Sequence, residues 1–304
     1  MPCSHTAGFN YGMTAKTIVP NHLQGIFAIV LAAIFWSTGG VFVKLLPQDA
    51  YTILAYRSLL AAAVFFLFFR KNVFQMNGRA WLNALFYCLL VLSFVVSTKL
   101  TTAANSILLQ YTGTIYVLIA EPFFFKIKMQ RVNVVTIIAC AIGMVILVSG
   151  DLGSGNSLGN FIAFLSGFLM AALFIGQRLN GPERQPAAIF WGNVMMVGIG
   201  MPWLLQSPLP TLPEAAMLAW LGIFQLGLGF VLFTYGLKRV LAIEGALLAM
   251  LEPILNPVWV LIFYGEKPSK AAVVGGLVII FALTARIFWL EKQKQKLRSA
   301  ETSV

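Results

Sequence analysis

"LEPILNPVWV" occupies residues 251–260 and carries Glu252, Asn256 and two prolines, Pro253 and Pro257, inside one of the most apolar regions of the chain. Read as a helix, Gly245, Ala249, Glu252, Asn256 and Trp259 share one face, because they recur at three- and four-residue spacing. Leu247, Leu251, Ile254, Val258 and Leu261 form a second, aliphatic stripe. The pattern describes a membrane helix with one face toward lipid and the other toward protein or a cavity. A charge at the middle of such a span costs at least about 2.5–3.5 kcal/mol on insertion scales. Each proline removes a backbone donor and crowds the carbonyl one turn earlier. The expectation is a bent helix that exposes a carboxylate and loosened carbonyls to a polar site.

Composition extends this reading to the whole chain. Of 304 residues, 59% are hydrophobic and 10% are charged, against about 25% charged in a soluble domain. The apolar residues fall into blocks at 25–46, 50–69, 80–98, 103–121, 132–150, 159–179, 187–205, 215–236, 242–264 and 271–290. Each is close to the ~20 residues that span a bilayer as a helix. The runs are continuous, which argues for helices rather than the alternating strands of a barrel. The fold expected is an all-α membrane protein of ten transmembrane helices. The first residues, "MPCSHTAGFNYGMTAKTIVPNH", lack the apolar core and cleavage site of a secretory signal, so the first span is expected to serve for insertion. Cys3, Cys88 and Cys140 have no metal-ligand spacing and read as small apolar residues, not as a disulfide frame.

The net charge of +11 does not mark a nucleic-acid surface, because the basic residues are sorted by side. With the N-terminus inside, the cytoplasmic segments hold Lys16, Arg70, Lys71, Arg79, Lys126, Lys128, Arg131, Arg178, Arg184, Lys238, Arg239, Arg286 and the tail lysines and Arg298. The other side holds Lys44, Lys99, Lys267 and Lys270, and Arg57 lies within a span. This is the positive-inside bias. It places both termini in the cytoplasm of a multi-pass protein of a bacterial-type inner (plasma) membrane. The basic tail can also contact anionic lipid.

The chain repeats itself weakly. "GIFAIVLAAIFWSTGGVFVK" from Gly25 lies over "GNFIAFLSGFLMAALFIGQR" from Gly159, with Lys44 over Arg178. Further on, Phe94 lies over Phe233 and Ala103 over Ala242. Five spans per copy is an odd number, so the second copy enters the membrane from the opposite side. The expected organisation is a cytoplasmic segment at 1–24, five-helix repeats at 25–150 and 159–290, and a basic tail at 291–304: a 5+5 inverted-topology repeat. Such repeats place a binding site at the midplane between the halves and make inward-open and outward-open states near mirror images.

In the register of the repeat, Glu252 lies over Gly113, and the matching stripe of the fourth span is Ser106, Gln110, Gly113 and Val117. The first half is built without the carboxylate. Glu252 is therefore either a functional group that binds a substrate or a cation, or a structural one, protonated or paired with Arg57.

"LEPILNPVWVLIFYGEKPS", residues 251–269, resembles the ninth-helix signature of the EamA family of the drug/metabolite transporter superfamily, in which a proline-containing apolar run ends in a Gly-Glu turn. "FWSTGGVFVK" and "AYRSLLAAAVFF" are similar to that family's first repeat. The resemblance covers about residues 25–290. It implies a 5+5 fold with a central cavity lined mainly by helices 1, 3, 4, 6, 8 and 9. It also implies export or import of amino acids and other small metabolites, often with proton coupling. The first repeat departs from the pattern: "YTGTIYVLIAEPFFFKIKMQ" lacks the ninth-helix proline and the Gly-Glu turn and carries Glu121-Pro122 instead.

Other polar residues admit two readings. Arg57, about 10 Å below the outer end of the second span at 1.5 Å per residue, is a tie to helix-end carbonyls or a carboxylate, or a substrate contact. Gln110, Gln177, Gln225, Asn83, Asn105 and Asn193 are glue between helices or ligand contacts. Trp36, Tyr111 and Trp259 stack on a ligand or pack. Gly222, Gly229 and Gly236 share a face and predict close helix approach in the eighth span. Glu244 suits a helix N-terminus, and Glu266 caps an outer turn. Histidines occur only at His5 and His22, before the first span, and no phosphate loop or metal-ligand cluster is evident. These features argue against an enzyme, and no cofactor is expected. The reading is a secondary transporter working by alternating access, with lipid and a small metabolite as partners and protons as a candidate coupling ion. Burial favours the protonated form of a carboxyl and a bound cation favours the ionised form, so proton and substrate can compete for one carboxylate. The candidate site is Glu252, Asn256, Trp259, Tyr111, Gln110, Trp36, Gln177 and Arg57. Export of amino acids or related metabolites is the first expectation; uptake of a nucleobase-like compound or vitamin, or a non-transporting assembly or sensing role, are the alternatives.

Overall fold

A computed structural model describes residues 21–125, 129–149, 157–181, 183–237, 239–240, 245 and 248–301. The regular structure among these residues is helical. Among the described residues, eight stretches are long and apolar enough to cross a bilayer: His22–Leu45, Ala50–Phe74, Gly78–Leu100, Ala103–Phe124, Ser157–Gln177, Gln185–Gln206, Leu212–Gly236 and Lys270–Gln293. The chain is thus an all-α, multi-pass membrane protein. Two further apolar helices, Arg131–Leu147 and Leu251–Tyr264, are shorter. These are the fifth and ninth of the expected spans. The latter is shorter because a turn at Met250 cuts it, leaving a helix of 14 residues, about 21 Å at 1.5 Å per residue. The expectations for Cys3, His5, Lys16, Lys126, Lys128, Lys238 and Glu244 lie outside the described residues.

We number the helices α1 (His22–Ser37), α2 (Gly39–Leu45), α3 (Ala50–Phe69), α4 (Gly78–Leu100), α5 (Ala103–Tyr111), α6 (Gly113–Phe125), α7 (Arg131–Ser149), α8 (Ser157–Asn180), α9 (Gln185–Gln206), α10 (Leu212–Ala219), α11 (Gly229–Leu237), α12 (Leu251–Tyr264) and α13 (Lys270–Glu301). A π-helical segment, Trp220–Leu228, joins α10 to α11.

Several spans are interrupted part-way. The first breaks at Thr38 and the fourth at Thr112. The threonine hydroxyls donate back to carbonyls three residues earlier, Thr38 to Phe35 at 2.7 Å and Thr112 to Leu109 at 2.5 Å. Each takes up a carbonyl where the helical ladder stops. The ninth span breaks at Met250, one position from Thr112 in the register of the repeat. Here the structure changes the reading of the quoted segment. Glu252 is not mid-helix but in the first turn of α12, where the positive end of the helix dipole favours a carboxylate. Pro253 is in the same turn, where an absent N–H has no helical partner to lose. Only Pro257 interrupts the ladder from within.

The π segment redirects the eighth span. Its wider turns rotate the helix face, so the three glycines that share one face on an ideal helix serve two neighbours. A Cβ on Gly222 would lie 2.7 Å from the Arg57 carbonyl of α3. On Gly229 it would meet the Trp36 indole at 2.6 Å and on Gly236 the Gly25 carbonyl at 2.8 Å, both on α1.

Across the chain, α4 packs on α8, α1 on α11 and α12, α5 on α8 and α12, α3 on α9, and α7 on α13. At the last crossing a Cβ on Gly143 would sit 2.8 Å from the Gly275 carbonyl, the small-residue contact that lets membrane helices approach closely.

Candidate functional site

The packing encloses a cavity of about 420 Å³. Its wall takes Trp36 from α1, Phe94 from α4, Tyr111 from α5, Phe230 from α11, Glu252 from α12 and Met170 from α8. Arg57 of α3 and Arg286 of α13 also line it, so the second and tenth spans join the six that the family resemblance implies. The wall runs from the level of the interruptions to Phe233 and Arg286, toward the end at which α1 begins and α13 leaves.

At the deep end of this cavity the interrupted fourth and ninth spans meet. Tyr111, the last residue of α5, donates its hydroxyl to Glu252 Oε2 at 2.8 Å. Gln110 lines the same wall, with Ser166 Oγ 3.5 Å from its amide oxygen. Gly113, which the expected repeat sets over Glu252, has no room for a side chain: Gly167 of α8 packs on it, and the Thr112 hydroxyl lies 2.9 Å from where a Gly167 Cβ would be. A side chain at Gly113 would run into α8.

Trp36 packs between Phe230 and Phe233, with ring centroids 5.1 and 4.9 Å away. Arg57, 1% exposed, donates from Nη2 to Gln225 Oε1 at 3.0 Å. The structural tie expected for Arg57 is made to a neutral amide, not to a carboxylate or a helix-end carbonyl, and Arg57 does not pair with Glu252. Gln225, for which glue between helices and ligand contact are both expected, joins the π segment to α3 through this bond and also lines the cavity.

Three candidates lie away from the cavity. Asn256 is fully buried against Gly40, whose Cβ position is 2.9 Å from the Asn256 amide nitrogen. Trp259 donates its indole N–H to Ser37 Oγ at 2.9 Å. Both lie on the seam between α12 and the first span, because the face shared with Glu252 runs on past the cavity. The Gln177 amide oxygen is buried without a hydrogen-bond partner, and Gln177 is outside the cavity wall. Sequence reasoning missed Tyr87, which lines the wall and accepts a hydrogen bond from Asn193 Nδ2 at 3.2 Å. It also missed the apolar lining of Phe94, Phe230 and Phe233. The repeat register that pairs Phe94 with Phe233 was the available signal.

The opposite end is closed by charge. Gly265, at φ 78°, ends α12 in the left-handed conformation that glycine adopts freely. The chain then delivers Glu266 not to its own helix but to its neighbours. Its Oε2 lies 2.8 Å from Lys44 Nζ, and its Oε1 accepts from the Ala103 amide, the first of α5, at 2.7 Å. Lys44 also donates to the Thr101 carbonyl at 2.7 Å, and Lys99 to the Leu46 carbonyl at 2.5 Å. The Gly-Glu turn thus ties the end of the ninth span to the first and the fourth.

Interrupted helices meeting at a largely apolar cavity with a few polar groups, inside a bundle of membrane helices, are the frame of a polytopic membrane transporter for small molecules. The chain belongs to the EamA-like transporter family, whose model matches it over residues 23–149 and again over 157–286. An uncharacterized transporter of Archaeoglobus fulgidus is 25% identical over 271 residues, covering 88% of this chain and 97% of that one. An uncharacterized transporter of Clostridium kluyveri is 24% identical over 288 residues, covering 84% and 91%. A solved crystal structure of a protein shares the fold, with a TM-score of 0.63 at 17% identity over 89% of this chain and 98% of that chain.

Proposed function

We propose that the protein is a ten-span secondary transporter, built as a 5+5 inverted repeat, that exports amino acids or related small metabolites across a bacterial-type inner membrane by alternating access. Both termini are cytoplasmic, and the cavity is the inward-facing form of the site. Protons compete with the substrate's ammonium for Glu252.

The observation that carries this reading is the Tyr111–Glu252 bond, which joins the broken fourth and ninth spans in the cavity wall. The packing supports two equivalent halves. Exchanging the first span for the sixth, the second for the seventh and so on turns α4 on α8 into α11 on α1, and α5 on α8 into α12 on α1. The contacts of α3 with α9, α5 with α12 and α7 with α13 map onto themselves. The family model's match to each half supports the same division. The sealed outer end supports a conformation open toward the cytoplasm, where the basic residues concentrate.

The test is purified protein in liposomes, preloaded with single amino acids and assayed for counterflow of the labelled compound and for accompanying proton movement. Saturable counterflow with proton movement is expected, and in Glu252→Gln the proton movement is lost. Flux that does not saturate, or none with any amino acid, would overturn the proposal.

A further inference from the structure

Arg57 is placed in the cavity wall with its charge only partly met. Its guanidinium is 1% exposed and makes one hydrogen bond, from Nη2 to Gln225. Nε and Nη1, both fully buried, have no hydrogen-bond partner. No ion pair to Arg57 exists among the described residues. The carboxylate of the same wall, Glu252, accepts from Tyr111 instead. The neighbouring Tyr87 hydroxyl accepts from Asn193, and the other cation of the wall, Arg286, donates to Asn133 at 2.8 Å. A guanidinium keeps its proton at any physiological pH and offers five N–H groups in a planar fork. One amide oxygen does not balance it.

The surroundings hold this group ready. Gly222 lets the π segment close on the Arg57 backbone, where a Cβ would sit 2.7 Å from the carbonyl oxygen. Gln225, three residues on, fixes one edge of the guanidinium. Leu90, Phe94, Leu226 and Phe230 complete an apolar wall beside it.

We propose that Arg57 is an anion subsite of the cavity and holds the carboxylate of a substrate whose body is apolar. The assignment rests on the transport reading above and adds to it a group that Glu252 cannot recognise. One guanidinium matches the single charge and planar shape of a carboxylate. A dianionic phosphate would face Glu252 in the same wall, and the wall's other cation, Arg286, is engaged by Asn133.

The experiment uses full-length protein in nanodiscs and three probes of one shape: norleucine, norleucine amide and hexanoate. Affinity is measured by calorimetry and by ligand-induced shifts in Tm. Norleucine is expected to bind at least about tenfold tighter than its amide, and hexanoate to bind measurably at about 10 mM. In Arg57→Met the acid and the amide become equal, while the melting temperature without ligand stays near wild type. Arg57→Lys restores part of the preference. Inorganic phosphate does not compete. Equal binding of acid and amide to wild type, a preference that survives in Arg57→Met, competition by phosphate as strong as by hexanoate, or no binding of any probe would each overturn the assignment. If Arg57→Met does not fold, the acid-to-amide ratio in wild type and in Arg57→Lys decides. Carboxylate binding that depends on Arg57 but is accompanied by no flux in liposomes would sink the transport reading and leave the subsite standing.

Discussion

The Tyr111 hydroxyl and the Glu252 carboxylate meet at 2.8 Å, one at the last residue of a half-helix and the other in the first turn of another. The contact joins two spans that belong to different halves of the chain, at the level where both helices are interrupted. It also separates Glu252 from Arg57, whose partner is Gln225.

Glu252→Gln follows from that separation. The amide oxygen still accepts from Tyr111, and no buried cation is stranded, so the variant is expected to fold and to melt within a few degrees of wild type. It is expected to lose the pH dependence of transport, since its side chain carries no proton to exchange. Melting and transport against pH on one preparation check both halves of the statement. A large fall in Tm would mean that Glu252 neutralises a charge elsewhere.

Tyr111→Phe leaves a carboxylate without its donor. Hydrogen bonds to charged groups contribute about 1.5–3 kcal/mol, and thermal unfolding in detergent should show a loss of that order. Transport should fall with it, because the junction of α5 and α12 is no longer tied.

Gly113→Ala tests whether α8 leaves room at the position that the proposed repeat sets over Glu252. The added methyl meets the backbone of α8 at Gly167, and overpacking of this kind costs about 1–3 kcal/mol. Pro253→Ala, in the first turn of α12, should be near neutral by the same assay. A tolerated Gly113→Ala would show that α8 moves away readily.

Glu266→Gln and Lys44→Met each break the ion pair at the end of the bundle that the proposed topology places outside. In a background with Cys3, Cys88 and Cys140 replaced, a cysteine at Thr114, in the cavity wall, should react with an impermeant reagent from the outer side several-fold faster in either variant. Unchanged external reactivity would show that the pair does not hold the closed end.

Cysteine reporters at Lys71 and at Ser207 should label from opposite sides of the membrane, the first from the side of the termini. Labelling of both from one side would break the assigned topology.

Much of this architecture is legible in the residues. The apolar blocks place the helices, and the aliphatic stripe of α12 faces outward, with Ile254, Val258 and Leu261 at 45%, 40% and 42% exposure. The polar face is legible as a face but not as a site. Glu252, Asn256 and Trp259 share it, yet only Glu252 reaches the cavity, because the helix begins at Leu251 and its later turns run along α1 and α2. In "LLAMLEP" Pro253 marks a weak point in the helix, but nothing tells a bend there from a turn at Met250 with a new helix starting at Leu251. The Arg57–Gln225 contact was equally hidden: it joins residues far apart in the chain and depends on a π turn, which no local propensity marks. Glu266 was read as a local cap because sequence shows the nearest helix, whereas its partners are Lys44 and Ala103.

The breaks at Thr112 and Met250 adjoin the residues that line the cavity, and this has a consequence for how affinity and turnover relate. A helix is stiff along its length and weakest where its ladder is interrupted. On the reading proposed, a molecule that touches Tyr111 or Glu252 therefore touches the pivot itself, and no relay through the bundle is needed to convert occupancy into movement. The recognition surface and the hinge are the same few residues. A ligand too large to let α5 and α12 change their angle would bind and stall the protein, so the same wall that selects a cargo would also define its inhibitors.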